Sequence, residues 1–282
     1  MKRHTPGLIF FSFILLLSCS KPSTEHDRLH KITSSITYKS YYTLSKGLVP
    51  LIHSQASNVA DISRVKKDDL RLLLAYSWAT SQKNIPALAE TALILDSTES
   101  SVSHKSLAHL VRSMVCINLN LMETSNHEFS LSNITINNDS PEYSQKYEQI
   151  MFHMIISIAC IYNEKYDIAQ YHLFLLSKIT DINWPYLLMD GIIDIKKGNV
   201  QDGLVKLKKL QDDPKLPPEI RDLLAENIAK IEKKTGPVES NLFWLRAIGS
   251  VLYTELKNTG SSGLKDIGNH VEMLKEKLTK SK

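Results

Sequence analysis

The sequence contains ten histidines, a residue type whose chemistry suits metal binding. His104 and His109 are five positions apart, which places them on different faces of a helix, so a metal pair is not expected there. His153 and His172 fall in neighbouring predicted helices and can approach one another. We interpret these two as core or groove histidines rather than as metal ligands.

The cysteines after position 100 are Cys116 and Cys160, and each lies in an apolar run with helical spacing. Such positions favour buried free thiols. A disulfide remains the alternative if the two Cα atoms lie within about 7 Å in an oxidising compartment. Neither residue belongs to a C-x-x-C pair, so a redox role is not indicated.

Catalytic carboxylates would have to come from glutamates such as Glu142, Glu148 and Glu164, but no spacing singles these out as a glycan-cleaving pair. The sequence also lacks a Walker A loop, a G-x-G-x-x-G run, a G-x-S-x-G elbow and an H-E-x-x-H motif. We therefore assign no catalytic residue, metal or cofactor and predict that the protein is not an enzyme.

Charge and composition further restrict the class of protein to which this sequence can belong. Hydrophobic residues make up 43% and charged residues 23% of the 282 positions, as in an ordinary globular protein. Only 10 Gly and 10 Pro suit long helices better than many short strands. The net charge is +4, and about +2 without Lys2 and Arg3, which is too weak a bias to predict nucleic-acid binding.

The first 18 residues predict a secretory signal, with a basic start followed by an apolar core at 8–17. Ten apolar residues span about 15 Å as a helix, too short for a membrane anchor. The core ends in Leu16-Leu17-Ser18-Cys19, which resembles the lipobox of bacterial lipoproteins. That resemblance implies acylation of Cys19, and Ser20 after it implies sorting to the outer membrane in a Gram-negative cell. An ordinary signal peptide with an incidental cysteine is the alternative.

A repeat with an offset of 34 residues runs through the region from Met151 to Leu210. The paired positions are Ser157 with Gly191, Ile158 with Ile192, Ile161 with Ile195, Ala169 with Gly203, Leu173 with Leu207, and Leu176 with Leu210. Small residues also recur 12 positions apart, where two antiparallel helices must approach closely: Ala75 and Ala87, Ser157 and Ala169, Gly191 and Gly203.

With Trp78 at the aromatic position of the first copy, these features resemble tetratricopeptide (TPR) repeats. The resemblance covers roughly residues 70–96 and 146–211. It departs from the family at Cys160 and Asp194, which hold the aromatic position in later copies. No copy has the full family signature.

The predicted fold is all-α, with antiparallel helix pairs stacked as a short TPR-like solenoid and a C-terminal capping helix. The predicted segments are a signal peptide at 1–18, a lipidated tether at 19–27, a helical repeat domain at 28–257, and a linker with the C-terminal helix at 258–282. The polar stretch 123–143, rich in Ser and Asn, is interpreted as an insertion that spoils one repeat.

Proteins resembling this family hold peptides or partner proteins on a concave surface. We therefore expect a scaffold or assembly factor of the bacterial cell envelope, facing the periplasm, that serves outer-membrane biogenesis, secretion or pilus assembly. Trp78 and Tyr166 are the candidate groove residues. Two alternatives stay open, a peptidoglycan-acting hydrolase or lyase and a pilotin-like chaperone for one secreted subunit.

Overall fold

A computed structural model describes residues 24–56, 66–134, 146–233 and 262–280, and every regular element in these ranges is a helix. The signal segment and Cys19 lie outside the described residues, as do 135–143 of the predicted insertion and all of residues 234–261. The helices are α1 (Glu25–Thr33), α2 (Ile36–Ala56), α3 (Lys67–Thr80), α4 (Asn84–Leu95), α5 (Val102–Asn118), α6 (Met122–Leu131), α7 (Lys146–Tyr162), α8 (Tyr166–Thr180), α9 (Trp184–Lys196), α10 (Val200–Gln211), α11 (Pro218–Glu232) and α12 (Ser262–Lys280).

The fold is therefore all-α over the described ranges, as the sequence predicted. No helix among them combines the length and the apolar character needed to cross a bilayer.

The first helix begins inside the segment that the sequence assigned to the tether. Thr24 is its N-cap, and the Thr24 hydroxyl accepts a hydrogen bond from the backbone N–H of Asp27 at 3.1 Å. The Asp27 carboxylate accepts the backbone N–H of Thr24 in return, at 3.0 Å. This reciprocal capping box fixes the start of α1, so the polar residues 25–27 belong to a helix.

Helix α2 continues through Gly47 and Pro50, although glycine and proline both disfavour a helix interior. Its buried residues Tyr41, Ser45 and Val49 are spaced four apart, and α2 packs on α4. Packing along this stripe offsets the hydrogen bond that Pro50 removes from the helix interior.

Four helix pairs end their first helix in the same way. In each, a residue with positive φ (55–91°) is followed by one whose N–H donates to a carbonyl five positions back, which is the Schellman arrangement. These bonds run from Lys83 to Trp78, from Leu121 to Cys116, from Lys165 to Cys160 and from Asn199 to Asp194, with N···O distances of 2.8–2.9 Å. The aromatic position of the first copy is therefore equivalent to Cys116, Cys160 and Asp194.

The pair α5–α6 corrects the interpretation of 123–143 as an insertion, since Met122–Leu131 form a helix that packs on α5. Leu121 cannot cap α6 with its own side chain. The Glu25 carboxylate of α1 instead accepts the backbone N–H of Thr124 at 2.9 Å. The cap comes from 99 positions away in the chain, so local sequence gave no start signal for this helix.

Small residues let the helices of a pair approach closely, as predicted. At Gly203, an added Cβ would lie 2.6 Å from the Gly191 carbonyl oxygen and 2.5 Å from Cγ1 of Ile195. The other residues at these predicted small positions, Ala75, Ala87, Ser157 and Ala169, are fully buried.

Successive pairs also contact each other, because α3 packs on α5 and α5 on α7, while α8 packs on α9 and α10 on α11. One hydrophobic core includes side chains from α1 through α12. Its C-terminal member, α12, buries Val271, Leu274 and Leu278, and its main contacts are with α2 and α3 near the start of the chain. The predicted C-terminal capping helix thus packs against α2 and α3, near the start of the chain.

Candidate functional site

Trp78, a predicted groove residue, lies near the end of α3 and is only 2% exposed. Its indole N–H donates to the Tyr41 hydroxyl of α2 at 3.0 Å. The ammonium groups of Lys83 and Lys275 lie 4.7 and 5.2 Å from its ring centroid, close enough for cation–π attraction. Trp78 therefore connects α2, the start of α4 and the C-terminal helix.

A buried polar network holds Tyr41 in place beneath this tryptophan. Arg71 of α3 and Glu90 of α4 form an ion pair at 2.8 Å, and both side chains are at most 4% exposed. The Ser45 hydroxyl of α2 donates to the same carboxylate, and the Tyr41 hydroxyl does so at 3.4 Å. Burial raises the pKa of Glu90, while Arg71 and these hydrogen bonds oppose the shift. The network ties three helices together in a fixed register.

An open pocket of about 500 Å³ lies beside Trp78. It is bordered by Ile32, Thr37, Tyr41, Trp78, Gln82, Lys83, Asn84, Ile85, Pro86, Leu119, Leu278 and Thr279. These residues come from α1, α2, α3, the α3–α4 turn, α4, the end of α5 and α12. The volume is in the usual range for small-molecule pockets, and the surface is mostly apolar.

Tyr166, the second predicted groove residue, is the first residue of α8 and does not border this pocket. It is half-buried against the core. Burial raises the pKa of its hydroxyl, and Glu164 adds to the shift. The structure therefore does not bring Trp78 and Tyr166 together in one pocket.

An exposed aromatic surface formed by α8 and α9 was not predicted from the sequence. Phe174 of α8 is 41% exposed and meets the Tyr186 ring of α9 edge-on, with centroids 5.7 Å apart. Lys178 lies over the Phe174 ring at 5.0 Å, and Leu187 is 40% exposed. An exposed aromatic at the junction of two pairs suits protein contact. The 3.6-residue pattern of α8 gave no sign that Phe174 would point outward.

Ser101, His104 and Asp69 form a chain of hydrogen bonds that resembles a hydrolase triad in composition. The Ser101 hydroxyl lies 2.6 Å from His104 Nδ1, and His104 Nε2 lies 2.9 Å from Asp69 Oδ1. Ser101, however, is the N-cap of α5 and its hydroxyl accepts the His104 backbone N–H at 3.2 Å. The buried Asp69 carboxylate also accepts from the Tyr147 hydroxyl and the Lys66 backbone N–H. These contacts link α3, α5 and α7, so the hydrogen bonds among Ser101, His104 and Asp69 have a structural role.

Glu148 and Glu164, two of the carboxylates considered for glycan cleavage, lie near opposite ends of α7 and do not form a pair. Glu148 is 2% exposed and forms an ion pair with Lys66 at 3.1 Å. Glu164 is exposed in the α7–α8 turn with φ of 58°. Glu142 lies outside the described residues.

His153 and His172 do meet, with their Nδ1 atoms 2.8 Å apart in the buried interface of α7 and α8. One imidazole donates to the other, and the ring of Phe152 packs edge-on against both. His104 and His109 bind different carboxylates, Asp69 and Glu128. No cluster of three metal-binding side chains occurs in the described part of the chain.

Cys116 and Cys160 are free thiols, and both are fully buried. Burial raises the pKa of each thiol to about 12. The thiolate, which is the reactive form, is therefore scarce at neutral pH, and both residues act as core side chains.

Among known proteins, no protein-family model, curated protein or solved structure matches this chain.

Proposed function

We propose that this protein is a lipid-anchored scaffold of the bacterial cell envelope, whose helix pairs stack as a TPR-like solenoid and bind a partner protein. The observation that carries the proposal is the recurrence of one closing turn in four helix pairs, because equivalent pairs that pack side by side build an extended surface. The lipobox-like Leu16–Cys19 supports an anchor at Cys19.

Two surfaces offer the contacts for a partner. The pocket beside Trp78 supplies a concave apolar site, and the exposed Phe174 with Tyr186 supplies an aromatic one. Large aromatic side chains of this kind dominate binding energy at protein interfaces.

Anchoring is tested first. Cells grown with an alkyne analogue of palmitate should label the full chain, and Cys19→Ser should remove the label. Labelling that persists in the variant would contradict acylation at Cys19.

Partner binding is tested by photo-crosslinking in the cell, with a photoreactive phenylalanine analogue at Ile85 beside the pocket or at Phe174. We expect a defined envelope protein to be crosslinked at one of these positions and to be lost when Cys19→Ser releases the chain. A control probe at Lys215, in the turn between α10 and α11, should not yield the same product. Absence of a protein adduct at both sites, in chains that are otherwise folded and anchored, would overturn the scaffold proposal.

A single client recovered in a one-to-one complex would instead indicate a dedicated chaperone, and several clients would indicate a broader scaffold.

A further inference from the structure

The pocket beside Trp78 has one end that favours a negative charge. Among the described residues, Lys83 is the only charged one that lines the pocket, and this exposed lysine forms no ion pair with a carboxylate of that part of the chain. Its ammonium group is held at 4.7 Å over the Trp78 ring, which leaves it able to meet an anion. A cation without an acidic neighbour at the border of an apolar pocket attracts anionic ligands.

The start of α4 reinforces this preference. Asn84 and Ile85 also border the pocket and belong to the first turn of α4, a helix of 12 residues. Their backbone N–H groups have no acceptor within the helix, and Lys83 gives the helix no side-chain cap. The partial positive charge of this terminus adds to that of Lys83.

Several other polar groups of the pocket are already engaged in hydrogen bonds. The Tyr41 hydroxyl donates to Glu90 and accepts from Trp78, and the Thr279 hydroxyl donates to the Lys275 carbonyl. The Asn84 side-chain oxygen accepts from Asn118 at 3.4 Å. The lining is mostly apolar, so the walls suit a flexible hydrocarbon chain.

We infer that the pocket binds an amphiphilic carboxylate of the fatty-acid class, with its carboxylate at Lys83 and its acyl chain against Ile32, Trp78 and Leu119. The pocket volume of about 500 Å³ is large enough for a medium or long acyl chain. This inference goes beyond the proposed partner binding and does not depend on it.

The test compares three ligands that share a twelve-carbon chain and differ in their head group: laurate, dodecanol and dodecylammonium, each below its micelle concentration. Titration calorimetry uses the full chain with Cys19→Ser, so that the anchor does not interfere. We expect laurate to bind about tenfold more tightly than dodecanol, the usual size of one charge-assisted hydrogen bond.

Two substitutions at one position separate charge from shape. Lys83→Gln should reduce laurate affinity about tenfold and leave dodecanol unchanged, while Lys83→Glu should favour dodecylammonium over laurate. The matched control Lys215→Gln should change neither. Since Lys83 is exposed, both variants are expected to fold, which thermal unfolding verifies.

A third variant tests the location, because Ile85→Trp should fill the pocket and weaken laurate and dodecanol alike. Equal affinity for the three head groups, laurate binding that is insensitive to Lys83, or no laurate binding by the folded protein would each overturn the inference. The crosslinking results for a protein partner would stand in all three cases.

Discussion

Gly203 of α10 lies against Gly191 of α9 so closely that a Cβ at Gly203 would be 2.6 Å from the Gly191 carbonyl oxygen. The obstacle is backbone, which cannot move aside as the end of a flexible side chain can. At Gly191 both atoms within 3 Å of an added Cβ belong to the Leu207 side chain, and the nearest backbone atom is 3.3 Å away. The two glycines are therefore not equivalent.

We predict that Gly203→Ala lowers the free energy of unfolding by about 1–3 kcal/mol, as overpacking does in a tight interface. Gly191→Ala should cost less, because Leu207 can adopt another rotamer. The control is Gly47→Ala in α2, where an added Cβ meets nothing within 4 Å and should stabilise the helix by about 0.5–1 kcal/mol. Urea unfolding followed by circular dichroism measures all three, and a neutral Gly203→Ala would refute the close approach.

Because Arg71 and Glu90 form a buried ion pair, we expect replacing Arg71 alone to destabilise the protein more than replacing both residues. Arg71→Met leaves a buried carboxylate without its cation and should cost about 3–5 kcal/mol at pH 7. Arg71→Met combined with Glu90→Leu removes both charges and should cost clearly less than Arg71→Met alone. A double variant as unstable as the sum of its single variants would show that the pair is not coupled.

The environment of Glu128 in α6 leads us to expect that the protein loses stability at acidic pH. Burial alone raises its pKa, but the hydrogen bond from His109 at 2.7 Å and the charge of Arg112 outweigh burial and lower the pKa below its usual value. A carboxyl whose pKa is lower in the folded state contributes stability above its unfolded value of about 4.3, and this contribution is lost as the pH falls through the folded value.

Glu128→Gln should therefore destabilise the protein at pH 7, and the difference from the unchanged protein should shrink below about pH 4. Urea unfolding across this range measures the difference, with the exposed Glu123→Gln at the start of the same helix as control. A difference that stays constant with pH would contradict a lowered pKa at Glu128.

Substitution and chemical labelling of Ser101 can distinguish a structural role of its hydroxyl from a nucleophilic one. If the hydroxyl caps α5, Ser101→Ala should lower stability by about 1 kcal/mol, and Ser101→Asp should retain most of the cap. A fluorophosphonate probe for activated serines should not label the native protein. Labelling at Ser101 would reverse the assignment and revive the hydrolase alternative.

Several features of the fold were predictable because they depend on short-range patterns. Helical periodicity predicted the helices that contain Trp78, Ser157 and Gly203, and small residues 12 apart predicted the close pairs. The pair α5–α6 escaped detection because its turn lies 38 residues after the first and 44 before the next, so a fixed offset of 34 misses it.

The candidate site was less predictable. Trp78 was identified from its position in the repeat, but its neighbours Lys83, Leu119 and Leu278 come from three separate parts of the chain. The pairing of Arg71 with Glu90 was also not predictable, because the two residues lie in different helices and no spacing pattern relates them. Sequence spacing carries no information on contacts across such distances.

The sequence by itself determined the helical character and the likeness among helix pairs, since both follow from periodicity over a few turns. The predicted lipid anchor rests on Leu16–Cys19 and stays a prediction. Only the tertiary structure decided that Glu25 caps α6, that α12 packs on α2 and α3, and that one lysine borders the pocket. Those contacts join residues far apart in the chain, and they form only when burial of the shared core brings the helices together.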